Sequence, residues 1–368
     1  MRWALLVAAA AAAPDLSRCK KTPPPAIEGC AAEWAALRAS QSEPARRVVV
    51  SFLFRDMAPA RLVQFLEYYL ALGATDFVVF DNSCPAAATP ATLAPYVAAG
   101  LVKYDKRLVC GNIRKVALDA TRRDGNKHGR DVQGASAIAQ QLMRRTPSLN
   151  PPRGSVVLSL DDDEFVVAED GLAAAADRMA AAGSCASFLQ WRLFGTSGHV
   201  CQPEAALVSA FTRRAPLHVS KANASLVAKA KRNAGAYPVQ ARGKIMQLWS
   251  PSGKMQCGTH LCHGSCDAGK LANCAGGGGK CRPWRRPHIA HYAIQSLEHW
   301  EYKKRRGRTS NAKARTGPPL PLYDAEFDDG AARGLARRVG ALGAPALAAC
   351  LGTRVFPAVD FGGGNLTH

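Results

Sequence analysis

The chain lacks any apolar run long enough to cross a bilayer, which takes roughly 20 consecutive apolar residues. Its most apolar stretch is MRWALLVAAAAAAP at the N-terminus, where one arginine precedes about eleven apolar residues. That pattern is typical of a short signal peptide, with cleavage near Ala11 to Ala13. A frayed, alanine-rich helix is the alternative. We predict a signal peptide over residues 1–13 and a protein with peripheral or no membrane contact.

Acidic residues are scarce, since 28 Asp and Glu stand against 48 Lys and Arg, giving a formal charge of +20. This balance favours anionic partners such as nucleotide phosphates, acidic glycans, membrane surfaces or nucleic acid. The basic residues are scattered, however, apart from the run Lys303 to Arg308. Single-strand-binding proteins combine a basic groove with interleaved aromatic residues, and the sequence shows no such stripe. We therefore predict no nucleic-acid partner.

Tight Cys-x-x-Cys pairs are absent, although the chain contains 12 cysteines. Five of them crowd between Cys257 and Cys281, with two histidines among them. Structural zinc sites usually show tight cysteine pairs, so disulfides are the favoured interpretation and zinc the weaker one. The glycosylation sequons at Asn223 and Asn365 also agree with a secretory route. We predict a location in the secretory pathway, in the Golgi lumen, or secretion.

Sequence alone does not determine which cysteines pair. Two pairs are attractive because each would join neighbouring parts of the predicted fold: Cys84 with Cys110, and Cys185 with Cys201.

Strands and helices alternate along the chain, and no internal repeat is evident. Buried strands are predicted at RRVVVSFLF, DFVVFDNS, LVKYDKR and SVVLSL, with helices between them. This alternation predicts an α/β fold with a mostly parallel central sheet flanked by helices, and with ligands at the carboxyl ends of the strands. We predict a stem or linker over 14–45, one domain over 46–309, and a C-terminal tail over 310–368.

Four acidic residues, Asp161, Asp162, Asp163 and Glu164, directly follow the strand SVVLSL. Adjacent carboxylates repel one another, and a divalent cation would remove that conflict. Hard oxygen ligands suit Mn²⁺ or Mg²⁺, which bind through one or two carboxylates and substrate phosphates. If this segment is extended, residues two apart face the same way, which predicts Asp161 and Asp163 as a metal-binding pair. A solvated acidic turn is the alternative.

The segment Asp161 to Phe165 resembles the D-x-D-E-F signature of glycosyltransferase family 92 and related GT-A glycosyltransferases. Further stretches are similar in the same order: the region from Phe54 to Ser83, Gln133 before the metal strand, QWRLFGTSGH at Gln190 to His199, and HYAIQSLEHWEYKKRRG at His291 to Gly307. Arg55-Asp56, Gln64-Phe65 and Gln295 depart from the residues common in that family. The resemblance covers roughly residues 46–309.

The resemblance implies a GT-A fold and an inverting transfer of a sugar from a UDP-sugar donor to a glycan or glycoprotein acceptor, with galactose favoured. It also implies Mn²⁺ (or Mg²⁺) on Asp161 and Asp163. The third metal ligand in such enzymes is often a later histidine, and His260 is the first choice and His291 the second. The remaining donor-binding candidates are Arg55, Asp81, Asn82, Gln133, Asp162, Lys303 and Arg306.

An inverting transfer needs a general base near the acceptor hydroxyl group. His199, after the turn GTSGH, and Glu204 are the candidates. The competing hypothesis is a secreted, non-enzymatic protein that binds carbohydrate or calcium through a structural acidic cluster. A zinc-stabilised interaction module is a third hypothesis.

Overall fold

The computed structural model of the chain describes residues 15–19, 27–44, 46–83, 89–106, 135–215, 243–249, 255–257, 262–264, 270–272, 287–306 and 321–361. The helices among them are α1 (Ala31–Ser40), α2 (Pro59–Ala71), α3 (Thr89–Ala98), α4 (Ala135–Arg145), α5 (Gly171–Ala181), α6 (Leu207–Ala210), α7 (Leu297–Arg306), α8 (Gly330–Ala341) and α9 (Pro345–Cys350). The strands are β1 (Val48–Phe54), β2 (Asp76–Asp81), β3 (Val102–Asp105), β4 (Val156–Leu160), β5 (Glu164–Val167), β6 (Ser184–Leu193), β7 (Arg213–Arg214), β8 (Gly243–Leu248), β9 (Met255–Cys257), β10 (Cys262–Gly264), β11 (Lys270–Ala272), β12 (His288–His291) and β13 (Glu326–Phe327).

The protein is an α/β fold built on one large, mostly parallel sheet. Its strands follow the order β3-β2-β1-β4-β8-β6-β12-β5, and β11 also pairs with β6. Strands β1 to β4 are parallel to one another, and so are β6 and β12. Strand β8 is antiparallel to both β4 and β6, and β5 is antiparallel to β12. As a result, β1–β4, β6 and β12 all end at the same side of the sheet, which we call the carboxyl edge.

The central strands carry apolar residues on both faces because helices cover both sides. Every residue of β1, with the sequence VVVSFLF, is buried. Val48, Val50 and Phe52 face the main core, which contains α2, whereas Val49 and Leu53 face a second core beneath α4. A helix of 13 residues begins at Pro59, where the missing N–H of proline costs nothing.

Both chain ends that the sequence predicts as linker and tail contribute to the main core. From the N-terminal segment, Cys30 and Trp34 are buried, and Glu67 accepts hydrogen bonds from the Cys30 amide and the Trp34 indole. From the C-terminal segment, α8, α9 and the turn after them bury Leu335, Leu347 and Phe356. The main core therefore extends beyond residues 46–309.

Two disulfides attach the N-terminal segment to distant parts of the chain. Cys19 is bonded to Cys201 and Cys30 to Cys350. The predicted pair of Cys185 with Cys201 is therefore wrong, and Cys185 is itself disulfide-bonded elsewhere. Cys185 lies at the start of β6 and Cys201 lies beyond its far end; eight extended residues span roughly 26 Å, too far for a disulfide. Cys84 and Cys110 lie outside the described residues.

Within the described part of the chain, no helix has both the length and the apolar character needed to span a membrane.

Candidate functional site

The four acidic residues Asp161 to Glu164 lie at the carboxyl edge, where they connect β4 to β5. They form a tight turn, closed by the Glu164 amide donating to the Asp161 carbonyl oxygen at 3.2 Å. We call this segment the acidic turn. The prediction that Asp161 and Asp163 face one way rested on an extended backbone, and that premise is wrong because the chain reverses here. Each carboxylate consequently has its own surroundings.

Asp161 is held by a lysine from the antiparallel strand β8. The Lys244 ammonium lies 2.8 Å from Asp161 Oδ2 and 3.3 Å from Glu164 Oε2. Lys244 is 1% exposed, whereas the Asp161 side chain is 36% exposed. Burial acts to lower the pKa of Lys244, but the charges of Asp161 and Glu164 outweigh it and raise that pKa. Lys244 therefore stays charged and directs Asp161 toward the open side of the edge.

Glu164 is the interior member of the turn and is fully buried. Its Oε2 accepts a hydrogen bond from the Asp161 amide at 2.8 Å, while its Oε1 has no hydrogen-bond partner among the described residues. Burial raises the pKa of Glu164 well above its ordinary value, although the nearby Lys244 ammonium opposes this. Glu164 thus shapes the turn from inside and does not face a ligand.

Asp163 lies between a lysine and a histidine. Lys303 Nζ, from α7, lies 2.7 Å from Asp163 Oδ2, and His291 Nε2, at the end of β12, lies 3.3 Å from Asp163 Oδ1. Burial alone would raise the pKa of Asp163, but the charges of Lys303 and His291 hold it well below its usual range. Two residues predicted as metal ligands, Asp163 and His291, are therefore brought together.

The donor set at this point fits a divalent cation. Neighbouring ligands of an octahedral ion with bonds of 2.0–2.1 Å lie about 3 Å apart, close to the 3.3 Å between His291 Nε2 and Asp163 Oδ1. His291 Nδ1 is buried and makes no hydrogen bond within the described residues. Among the described residues, the acidic turn does not bring three potential metal-ligand atoms within 4.8 Å of one another. The two groups that are this close each contain a disulfide-bonded cysteine pair.

Asp162 interacts electrostatically with an arginine of a different helix, α2. Its charge acts on Arg61, near the start of α2, whose pKa burial lowers to about 10 against that attraction. Arg61 Nη1 and Nη2 are buried and have no hydrogen-bond partner among the described residues. Neither Arg61 nor Lys244 was predicted from sequence. Two sequence features could have indicated them. One is a lysine within the mainly apolar strand GKIMQL, and the other is an arginine two residues after the proline that begins α2.

The predicted donor-binding residues after β1 and β2 lie at the same edge but are engaged differently. Asp81 is fully buried, and its two carboxylate oxygens accept hydrogen bonds from the Ser83 amide at 2.7 Å and the Tyr104 hydroxyl at 2.8 Å. Asn82 is also buried, and its backbone N–H donates to the Phe54 carbonyl oxygen. Arg55 is about one-third exposed, with Nε 3.4 Å from Asp56 Oδ2. Of these residues, Arg55 is the most accessible.

The loop after β6 carries the two candidate bases. His199 Nε2 lies 2.9 Å from the Ala210 carbonyl oxygen. A carbonyl oxygen only accepts, so this nitrogen carries a proton, and in the tautomer that this hydrogen bond selects the lone pair is on Nδ1. Glu204 is exposed. His199 thus has the tautomer that a general base requires, whereas Glu204 lies in a solvated segment.

Backbone strain also marks the carboxyl edge. Among the described residues, the non-glycine residues in the left-handed region are Asp56, Ser197 and Gln295. Each follows the carboxyl end of a strand, namely β1, β6 and β12 respectively. Such conformations persist only where the surroundings enforce them, and they cluster at functional sites. Asp324 enforces the one at Ser197, because its Oδ1 accepts from the Ser197 amide at 2.7 Å.

Three predicted site residues have no described side chain: Gln133 and His260 lie outside the described residues, and Arg306 is described only as the last residue of α7. Their predicted roles remain predictions. Comparisons of the chain with protein-family models and with curated proteins found no match.

Proposed function

We propose that the protein is a metal-dependent glycosyltransferase that uses a nucleotide sugar. The observation that carries this proposal is the acidic turn at the carboxyl end of β4, with His291 Nε2 placed 3.3 Å from Asp163 Oδ1. Parallel α/β sheets bind ligands at that edge. The D-x-D-E-F resemblance supports a GT-A fold and assigns the edge to a UDP-sugar, with galactose favoured.

In this proposal Asp163 and His291 would hold Mn²⁺ or Mg²⁺ directly and Asp161 would act through a bound water, as is usual for such ions, and the ion would supply Lewis acidity toward charge on the leaving diphosphate. Lys303 adds a fixed positive charge beside Asp163, from which its ammonium can also meet phosphate oxygens. Arg55 is accessible at the neighbouring strand end and presents a planar fork that suits phosphate. Asp81 and Asn82 hold the strand end in place through the hydrogen bonds described above.

The acceptor is proposed to bind along the loop after β6. There His199 accepts the proton of the attacking hydroxyl group at Nδ1, while Nε2 remains bonded to the Ala210 carbonyl oxygen. Trp191 is half-buried, and its ring lies 4.3 Å from the His291 ring, centroid to centroid. Its position beside the metal ligands suits packing against a sugar face. The acceptor class remains the glycan or glycoprotein that the resemblance implies.

The non-enzymatic hypothesis draws less support. A calcium site takes six to eight oxygen ligands, whereas the side chain 3.3 Å from Asp163 Oδ1 offers the nitrogen atom of His291. The disulfides suit an oxidising compartment, and we therefore retain the secretory pathway as the proposed location.

A panel of UDP-sugars with Mn²⁺, read by UDP release, tests the proposal. Asp163→Asn is expected to reduce release to background, because it removes a ligand and the partner of Lys303. Asp177→Asn is the matched control, since that aspartate is exposed on α5 and forms a surface ion pair with Arg46. Unchanged turnover in Asp163→Asn, or no release with any donor, would refute the assignment.

A further inference from the structure

Every aspartate of the acidic turn interacts electrostatically with a basic side chain from a different element. Asp161 is bonded to Lys244 of β8 at 2.8 Å, Asp163 is bonded to Lys303 of α7 at 2.7 Å, and Asp162 acts on Arg61 of α2. Lys244 and Lys303 are themselves buried. The protein therefore already supplies as many cationic side chains as there are aspartates. A free dication arriving at this turn would find each aspartate already balanced by a cationic side chain of the protein.

Arg61 indicates what is missing from this arrangement. Its Nη1 and Nη2 are buried and have no acceptor among the described residues. A buried guanidinium group without acceptors is costly, and native proteins rarely leave one so. The first amide groups of α2 also need hydrogen-bond acceptors, because the N-cap is Ala58 and no side chain caps this end of the helix. Anionic oxygens would satisfy both Arg61 and the positive end of the helix.

The side chains of Lys244, Lys303 and Arg61 suit a diphosphate that binds together with a divalent cation. Phosphate oxygens can accept the hydrogen bonds of the lysine and arginine side chains, which frees carboxylate oxygens for the cation. The cation in turn reduces repulsion between phosphate and carboxylate. Each ligand therefore removes the electrostatic obstacle to the other.

We propose that Lys244, Arg61 and Lys303 act as counter-cations which keep the divalent ion out of the acidic turn until a nucleoside diphosphate arrives, so that the two ligands bind cooperatively. The inference rests on the proposed function and deepens it: the site takes the metal–diphosphate complex and not the free ion. By linkage, Mn²⁺ must strengthen the binding of UDP as much as UDP strengthens the binding of Mn²⁺.

Calorimetric titration of the full chain tests this inference with MnCl₂ alone, with UDP alone, and with MnCl₂ at saturating UDP, after correction for the Mn–UDP complex in solution. We expect each ligand to raise the affinity of the other by on the order of 30-fold, within the usual range of site coupling. Independent binding, with less than about threefold coupling, would overturn the inference and leave the proposed function standing. If UDP fails to bind with or without Mn²⁺, the proposed function fails as well.

Three variants distinguish the effect of the counter-cations from the effect of any positive charge near the site. Lys303→Met is expected to strengthen binding of Mn²⁺ alone by about tenfold and to reduce the coupling, because the competing ammonium leaves Asp163. Arg61→Met, at a half-buried position, is expected to weaken UDP binding about tenfold and keeps the test available if Lys303→Met does not fold. Lys304→Met, on the same helix and paired with Glu301, is the control. Unchanged coupling in both test variants would overturn the inference.

Discussion

Lys244 forms ion pairs with both an interior residue and a partly exposed residue of the acidic turn. Its ammonium lies between a fully buried glutamate and a partly exposed aspartate. Buried ion pairs add little net stability when intact, but removing one partner leaves an uncompensated charge. At the scale of single residues, the acidic turn therefore depends on a lysine that is itself almost wholly buried.

Lys244→Met is expected to lower the free energy of unfolding by about 3 kcal/mol, the usual cost of breaking a buried pair. The second substitution Glu164→Gln, made in the same chain, should recover part of this loss because it removes the buried carboxylate left behind. Urea unfolding of wild type, single variant and double variant measures both effects. A single variant as stable as wild type would contradict the importance of this pair.

His199 combines a structural hydrogen bond with a free lone pair, and a conservative substitution distinguishes the two. His199→Gln can still donate to the Ala210 carbonyl oxygen, but it lacks the basic ring nitrogen. We expect sugar transfer to an acceptor to fall by about 10²- to 10⁴-fold. Calorimetric binding of UDP with Mn²⁺ should stay unchanged. Full transfer activity in this variant would remove His199 as the base.

At the scale of elements, the short strands β7 and β13 hold the C-terminal segment against β6. Asp328, just after β13, accepts hydrogen bonds from Arg214 Nε at 2.6 Å and from Arg192 Nη1 at 3.1 Å. Burial opposes ionisation of Asp328, but the Gly330 amide and the two arginines together lower its pKa below the ordinary value. This cluster lies near the loop that carries His199, because Asp324 of the same segment holds Ser197.

Asp328→Asn is expected to cost about 3 kcal/mol of stability at pH 7, because the buried Arg214 and the half-buried Arg192 lose their shared carboxylate. Since the folded pKa lies below the unfolded one, the contribution of Asp328 is complete above about pH 4 and is lost as the pH falls through the folded pKa. The gap in unfolding free energy between wild type and variant should therefore narrow below pH 4. A gap that is constant from pH 7 to pH 3.5 would contradict this assignment.

Periodicity predicted the elements whose own apolar pattern identifies a buried face. The helices Pro59–Ala71 and Leu297–Arg306 and the strands β1 to β4 are confirmed, because their apolar patterns already identify buried faces. The mostly parallel sheet with an acidic cluster after β4 is confirmed too. Lys244 escaped prediction because its role depends on strand order: it is 83 residues from Asp161 in sequence, and β8 becomes the neighbour of β4 only in the sheet. Arg61 escaped prediction because its interaction with Asp162 joins α2 to a turn about 100 residues later in the chain.

At the scale of the whole molecule, the C-terminal segment belongs to the main core. A chain ending at Thr309 would lose the buried Leu335, Leu347, Leu351 and Phe356. Each such apolar side chain contributes roughly 1.5–3 kcal/mol when buried, so their sum rivals the total stability of a typical domain. We expect this truncation to yield unfolded or insoluble protein, as measured by circular dichroism and solubility. A cooperative unfolding transition in the truncated chain would contradict this.

The double variant Cys30→Ser/Cys350→Ser removes a covalent link without changing the buried apolar surface much. Because the bond closes a long loop in the unfolded chain, we expect a loss of about 2–5 kcal/mol. Urea unfolding measures this loss, and wild type treated with reductant provides a comparison in which both described disulfides are opened. Equal stability of variant and wild type would show that the link is dispensable.

The link between Cys30 and Cys350 also bears on the timing of synthesis. These residues are 320 positions apart, and at roughly 5–20 residues per second the ribosome takes tens of seconds to pass from one to the other. The bond between Cys19 and Cys201 joins residues 182 positions apart, so it can form earlier in synthesis than the bond between Cys30 and Cys350. During that interval Cys30 must wait as a thiol, exposed to exchange with the cysteines made in between. Correct disulfide formation in this protein therefore depends on how the Cys30 thiol is protected until α9, which carries Cys350, has been synthesised.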